Sequence, residues 1–305
     1  MRAKQIAAAL LCALLLLSGV RAYGAEEPEP IRVAYLDSGI SVYHLDPDHV
    51  EPGENLIFPG RDTEDRVGHG TAAAGLLLGS AELGLAGLCP EAVAVPIVCY
   101  DRYPSGVAAR GDGGTLAAAI RLAVDTYHCR VINISMGQTE DDPDLRAAVE
   151  YAQAAGALIV AAVGNDNLSA PERVYYPAAY DGVVGVGAAD GAGPAAFSQR
   201  NAVSLLAQGV GLSTVTNRKS ARVEVRSGTS FACAAVSGLC ARLWQEDPAL
   251  TAAQVRQKLF LLARDVGEPG FDRDSGWGLV ETAPAALPID ARRLPRQPVQ
   301  ALCLA

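Results

Sequence analysis

The sequence predicts a three-layer α/β fold, with a mostly parallel central sheet and helices on both of its faces. Three observations lead there. Short apolar runs bounded by glycine recur along the chain; residues 157–163, for example, lie between Gly156 and Gly164. Runs without polar alternation fit strands covered on both faces, as parallel sheets are. Helical stretches rich in small residues separate these runs, which is the alternation that builds βαβ units. Half of the 305 residues are hydrophobic and only 19% are charged, enough apolar matter for a large core.

In chain order, residues 31–36 form a strand that ends at Asp37-Ser38-Gly39, and residues 71–78 form a helix of small and apolar residues. Residues 92–98 are a strand, 115–126 a helix, 131–134 a strand and 145–155 a helix. Strands at 157–163 and 183–186 follow, then helices at 231–244 and 252–263. No internal repeat is present. Residues 1–25 read as an export signal: Arg2 and Lys4 precede an apolar run, and Val20, Ala22, Gly24 and Ala25 offer small-residue cleavage positions. The run falls short of the ~20 residues of a comfortable membrane span; an uncleaved anchor is the alternative. Residues 26–30 form a short acidic linker, 31–286 the folded domain, and 287–305 an irregular tail carrying Pro288, Pro295 and Pro298.

The formal net charge of −9 argues against nucleic acid as the main partner and gives no reason for binding to an anionic membrane surface. No stable membrane association is expected after signal cleavage, and a monomer is expected. Once Cys12 leaves with the signal, Cys89, Cys99, Cys129, Cys233, Cys240 and Cys303 remain. Export permits disulfides among them, and buried thiols acting as small apolar groups are the equal alternative. Cys233 and Cys240 stand two helical turns apart, about 10 Å, too far to bond to each other. No Cys/His spacing of a metal site occurs.

Ligands of open parallel sheets bind beyond the carboxyl ends of the strands, which singles out Asp37, Ser135 and Asn165. Asp37 can orient a histidine. His69 opens a helix between Gly68 and Gly70, where backbone and substrate can approach closely. Among the four histidines, His44 and His49 lie among Asp46, Pro47 and Asp48 in what reads as a solvated loop, and His128 precedes a buried strand. Ser230 starts an apolar helix, so its hydroxyl and N–H sit at the positive helix end. Asn165 can donate its amide to an oxyanion. Taken singly, these residues are a turn former, a surface histidine, a helix cap and a turn. Rival motifs fail: Gly185-Val186-Gly187 lacks the third glycine of a dinucleotide site, and the segment from Gly70 to Gly75 lacks the Lys-Ser/Thr of a phosphate loop.

Together, in the order Asp, His, Asn, Ser, they resemble the subtilisin-like peptidases. The resemblance rests on Val33-Ala34-Tyr35-Leu36-Asp37-Ser38-Gly39, on Gly68-His69-Gly70-Thr71-Ala72-Ala73-Ala74-Gly75, on Val131-Ile132-Asn133-Ile134-Ser135-Met136-Gly137, on Ala161-Ala162-Val163-Gly164-Asn165 and on Gly228-Thr229-Ser230-Phe231-Ala232. Gly276-Trp277-Gly278-Leu279-Val280 is similar to the family's closing glycine motif. It implies a three-layer subtilisin-like fold and a secreted serine endopeptidase acting on polypeptides, with Ser230 as nucleophile, His69 as general base, Asp37 orienting it and Asn165 in the oxyanion hole. It also implies that Ser135, Met136 and Gly137 form one wall of the primary specificity pocket and Ala162, Val163 and Gly164 the other. Asp166 is then expected at the pocket lip, favouring a basic P1 residue, and Tyr175 at a position often held by glycine, narrowing the pocket. Gly111, Asp112 and Gly113 are expected to pair with extended substrate. Catalysis needs no cofactor; calcium is admitted as a structural ion with no ligands assigned.

The chain departs from the family pattern at several points. Ala72 stands where histidine is frequent, no proline follows Ser230-Phe231-Ala232, and Gln208 stands where proline is frequent. With only five linker residues between the signal and the domain, no N-terminal prosegment is expected. A catalytically silent binding module on the same fold is the alternative function.

Overall fold

The computed structural model describes residues 29–220 and 223–282. The expected export signal with Cys12, the expected tail at 287–305 and Cys303 lie outside the described residues. Among those described, nine strands form one sheet: β1 (Arg32–Asp37), β2 (Glu54–Asn55), β3 (Val93–Val98), β4 (Val131–Ile134), β5 (Leu158–Ala162), β6 (Val184–Asp190), β7 (Gly193–Pro194), β8 (Leu205–Gln208) and β9 (Leu279–Val280). Their order across the sheet is β9-β8-β6-β5-β4-β1-β3-β2, with β7 folded back onto β6. Every pair is parallel except β6–β7. The helices are α1 (His69–Leu78), α2 (Gly113–Asp125), α3 (Pro143–Ala154), α4 (Thr229–Glu246) and α5 (Ala252–Leu262).

The strand period of two distributes the core. Val33 and Tyr35 of β1 face one layer, with Ala73, Ala74 and Leu77 of α1, Val236 and Trp244 of α4 and Leu259 of α5. Ala34 and Leu36 face the other, with Leu116 and Ile120 of α2 and Leu145 and Val149 of α3. This is the three-layer arrangement the sequence predicts. The helix starts follow from their caps. Asp112 accepts a hydrogen bond from Thr115 N, Asp142 caps α3 ahead of Pro143, and Thr251 and Gln254 form a capping box. Helix α1 is buried all round, as its uninterrupted run of small and apolar residues requires.

Three two-stranded hairpins lie off the main sheet and escaped the sequence analysis: Gly79–Ser80 with Leu85–Ala86, Tyr100–Arg102 with Ala108–Arg110, and Leu212–Val215 with Val223–Arg226. Cys89, Cys99, Cys129, Cys233 and Cys240 are buried free thiols. Burial pushes the Cys89 thiol up to about 11 and the other four higher still. His44 is not in a solvated loop. It is buried, and its Nε2 lies 3.0 Å from the Arg218 carbonyl oxygen. His49 Nδ1 likewise lies 3.0 Å from the Ala92 carbonyl oxygen.

Candidate active site

The register brings the chemistry-bearing residues to one edge. Leu36 of β1 pairs with Ile134 of β4, and Ile134 pairs with Ala161 of β5. Asp37, Ser135 and Asn165 therefore leave neighbouring strands at the same carboxyl end, where α1 and α4 begin.

His69 is the first residue of α1, following Gly68 at φ 93°. Its Nδ1 lies 2.7 Å from Oδ1 and 2.9 Å from Oδ2 of Asp37, and both side chains are buried. Asp37 Oδ1 also accepts from Ser38 N at 2.7 Å. The approach depends on Gly70, where a Cβ would lie 2.2 Å from the Gly39 carbonyl oxygen. Burial pulls the His69 imidazole down, but the Asp37 charge and hydrogen bond outweigh it, with a smaller push from Asp65, and the net shift is upward. Arg226 acts in the opposite sense.

Asp65 was missed from sequence, although a carboxylate four residues before the helix-opening histidine is a signal. Its Oδ1 accepts from Ser38 Oγ at 2.9 Å, Val67 N at 2.9 Å and Gly68 N at 2.7 Å. Its Oδ2 accepts from Thr71 N at 2.9 Å and Thr71 Oγ1 at 2.7 Å. Ser38 Oγ in turn accepts from Gly70 N at 3.0 Å. Asp65 thus ties the start of α1 to the turn after β1 and fixes the spacing of Asp37 and His69. Burial pushes its carboxyl up against these hydrogen bonds, with a net rise.

Ser230 is the second residue of α4 and is buried. Its N–H is among the helix-end donors with no partner inside the helix. Its Oγ donates to the Ser135 carbonyl oxygen at 3.3 Å. Asn165 Oδ1 accepts from Thr229 N at 2.9 Å and Thr229 Oγ1 at 3.1 Å. A backbone N–H can only donate, so the amide oxygen must face Thr229, and Nδ2 is left as the free end of the side chain. The Phe231 ring packs on the His69 ring at 5.1 Å. Below, Asn133 donates to Ser135 Oγ at 3.0 Å and accepts from Cys233 Sγ at 3.2 Å and Ser237 Oγ at 3.1 Å, which locks α4 onto β4.

A narrow cavity of about 10 Å³ is lined by Ser135, Met136, Gly137, Ala162, Gly164, Asn165, Tyr175, Thr229 and Ser230. Both expected walls thus meet at Ser230. Val163 does not line it: the strand alternation turns its side chain into the opposite core layer. Asp166 is not a free carboxylate at the lip. Its Oδ2 accepts from Arg173 Nη1 at 2.6 Å and Tyr175 Oη at 2.9 Å, and its Oδ1 from Gln199 Nε2 at 2.9 Å. Burial opposes its charge, but those bonds prevail and hold the carboxyl below its ordinary value. Gly111 and Asp112 line a neighbouring cavity of about 410 Å³. Gly113 does not; it is buried in the first turn of α2, where a Cβ would meet Asp142 Oδ2 at 2.4 Å. Among the described residues no group of three or more His, Cys, Asp or Glu side chains is arranged to hold a metal ion.

Comparison with known proteins agrees with this fold. The model described as "Subtilase family" matches residues 29–278. Minor extracellular protease Epr of Bacillus subtilis is 34% identical over 255 residues, which are 82% of this chain but only 38% of Epr. Subtilisin DY of Bacillus licheniformis is 31% identical over 259 residues, 84% of this chain and 90% of that protein. Among solved structures, the S41 psychrophilic protease superposes with a TM-score of 0.72 at 28% identity, covering 82% of this chain and 91% of that one. Sphericase does so with a TM-score of 0.72 at 27% identity, over 86% and 94%. The match to the family model over most of the chain, together with subtilisin relatives aligned nearly end to end, establishes that this chain belongs to the subtilase family of serine peptidases.

Proposed function

We propose that this chain is a secreted endopeptidase that cleaves polypeptides by acyl transfer to Ser230 and then to water. The observation that carries the reading is the buried Asp37–His69 pair at the same sheet edge as Ser230 and Asn165. In the reaction, the Ser230 hydroxyl swings from the Ser135 carbonyl to His69 Nε2, which takes its proton as Oγ attacks the scissile carbonyl. Asp37, bonded to Nδ1–H, holds the tautomer that leaves Nε2 free and stabilises the imidazolium. The Asn165 Nδ2 and the Ser230 N–H receive the oxyanion. His69 then hands its proton to the leaving amine, and a water repeats the sequence on the acyl-enzyme.

Export rests on the basic start and apolar run of residues 1–25, followed by a peptidase domain over 31–286. Among the described residues no helix is long and apolar enough to cross a membrane. The test is labelling of the purified protein by a fluorophosphonate, with Ser230→Ala as control. Labelling that disappears in the variant is the expected result. A folded wild type that takes no label would reject the hydrolase reading in favour of a silent binding module.

A further inference from the structure

The pocket at Ser230 and the neighbouring cavity of about 410 Å³ are separated by very little. Among their lining residues they share only Gly137 and Tyr175. Gly137 has no side chain, so the Tyr175 ring is the partition. It is buried, and one edge lies against Gly164: a Cβ there would stand 2.5 and 2.6 Å from its Cδ2 and Cε2 atoms. On the opposite wall, a Cβ on Gly137 would stand 3.4 Å from the Tyr175 Cβ. The Tyr175 side chain therefore spans the pocket, its Cβ at the Gly137 wall and its ring at the Gly164 wall. What remains on the Ser230 side, about 10 Å³, is room for roughly one water molecule.

The partition is held from both ends. Tyr175 Oη donates to Asp166 Oδ2, which Arg173 also engages, while Gln199 Nε2 holds Asp166 Oδ1 and bonds the Ala170 carbonyl oxygen at 2.6 Å. On the backbone side, Tyr176 exchanges hydrogen bonds of 2.8 and 2.9 Å with Gln138. Moving the ring aside would leave a buried hydroxyl without its acceptor and take one donor from the Asp166 carboxylate, so the barrier is a built wall and not a loose lid.

Resting on the hydrolytic reading above, we infer that Tyr175 closes the floor of the primary specificity pocket and restricts the P1 residue of the substrate to glycine or alanine. A glycine needs no space, and an alanine methyl is about the size of the water the cavity admits. Leucine or phenylalanine would have to displace the ring. Lysine is refused twice, because the ring blocks its path and the Asp166 carboxylate is already engaged by three donors. The basic P1 residue expected from sequence is thereby replaced by a small one.

The test uses the full chain and peptides that differ only at P1, as Gly, Ala, Leu, Phe or Lys. One methylene too many costs a pocket about 10–200-fold, so kcat/KM for Ala should exceed that for Phe and Lys by about 100-fold or more. Tyr175→Gly joins the two cavities and should raise cleavage after Phe relative to Ala at least about tenfold, whereas Tyr175→Phe keeps the ring and the Ala preference. In Ser230→Ala, calorimetric binding should favour the Ala peptide over the Phe peptide without any turnover. Wild type cleaving after Phe or Lys as fast as after Ala, or Ser230→Ala binding both peptides equally, overturns the inference. Absent fluorophosphonate labelling combined with a retained Ala preference in binding would strike the hydrolase reading and leave the assignment of Tyr175 standing.

Discussion

Replacing Gly70 by alanine should separate His69 from Asp37 without substituting either. The new Cβ would lie 2.2 Å from the Gly39 carbonyl oxygen and 3.2 Å from Asp37 Cβ and Oδ1. The first neighbour is backbone and cannot swing away. A carbon–oxygen contact relaxes to about 3.3 Å, so the start of α1 must retreat by about 1 Å. Taken up along the Asp37–His69 direction, that stretches contacts of 2.7 and 2.9 Å beyond hydrogen-bonding range. A misplacement of about 1 Å in a reacting constellation costs about 10²-fold in rate, and overpacking of this kind costs about 1–3 kcal/mol of stability. The assay is kcat/KM on the Ala-P1 peptide at a pH where His69 is neutral, beside a urea unfolding curve. Gly193→Ala, where a Cβ meets open space, is the control and should change neither. A folded Gly70→Ala variant within about threefold of wild-type kcat/KM would refute the idea that this one close approach sets the spacing of the pair.

The pH dependence follows from His69. Because its folded-state pKa lies above the ordinary 6.5 and only neutral imidazole acts as base, the acid limb of kcat/KM should have its midpoint above 6.5. Arg226→Gln removes an opposing charge and should move the midpoint further up; a downward move would contradict the assignment. The same upward shift stabilises the folded chain below the unfolded-state pKa of the imidazole, and this contribution is lost as pH rises through the folded-state value. Replacing Asn165 by alanine should lower kcat about 10²–10³-fold with little change in KM, as loss of the oxyanion-hole asparagine does in a subtilisin. An unchanged kcat would remove Asn165 from the oxyanion site.

The parts of the fold legible in sequence were those whose signal is local. Val131–Ile134 was predicted to the residue because a strand buried on both faces is apolar throughout. Gly39, Gly68 and Gly164 marked the strand ends and helix starts where chemistry gathers. The hairpins were invisible because their strands are only two to four residues long, and one is also interrupted by charge at Asp101 and Arg102. Distant partners were equally hidden. His44 looked solvated because the carbonyl that its Nε2 meets belongs to Arg218, 174 residues away. Asp166 looked available to substrate because nothing beside it announces that Arg173, Tyr175 and Gln199 will engage it. The narrowing by Tyr175 was read from its position alone, but the network that makes the ring a wall required coordinates.

The bond between Asn165 and Thr229 has a consequence for heat and cold. One end of this amide anchors the residue before the nucleophile, across 64 positions of sequence. Its other end is the one assigned to the developing negative charge. The donor's orientation is therefore settled when the chain folds, and no entropy is spent on ordering it at each turnover. In the proposed reaction, warming that frees the Asn165 side chain also loosens the first turn of α4. Nucleophile and oxyanion donor would then fail together, so that activity is lost over a narrow temperature range and not by gradual decline.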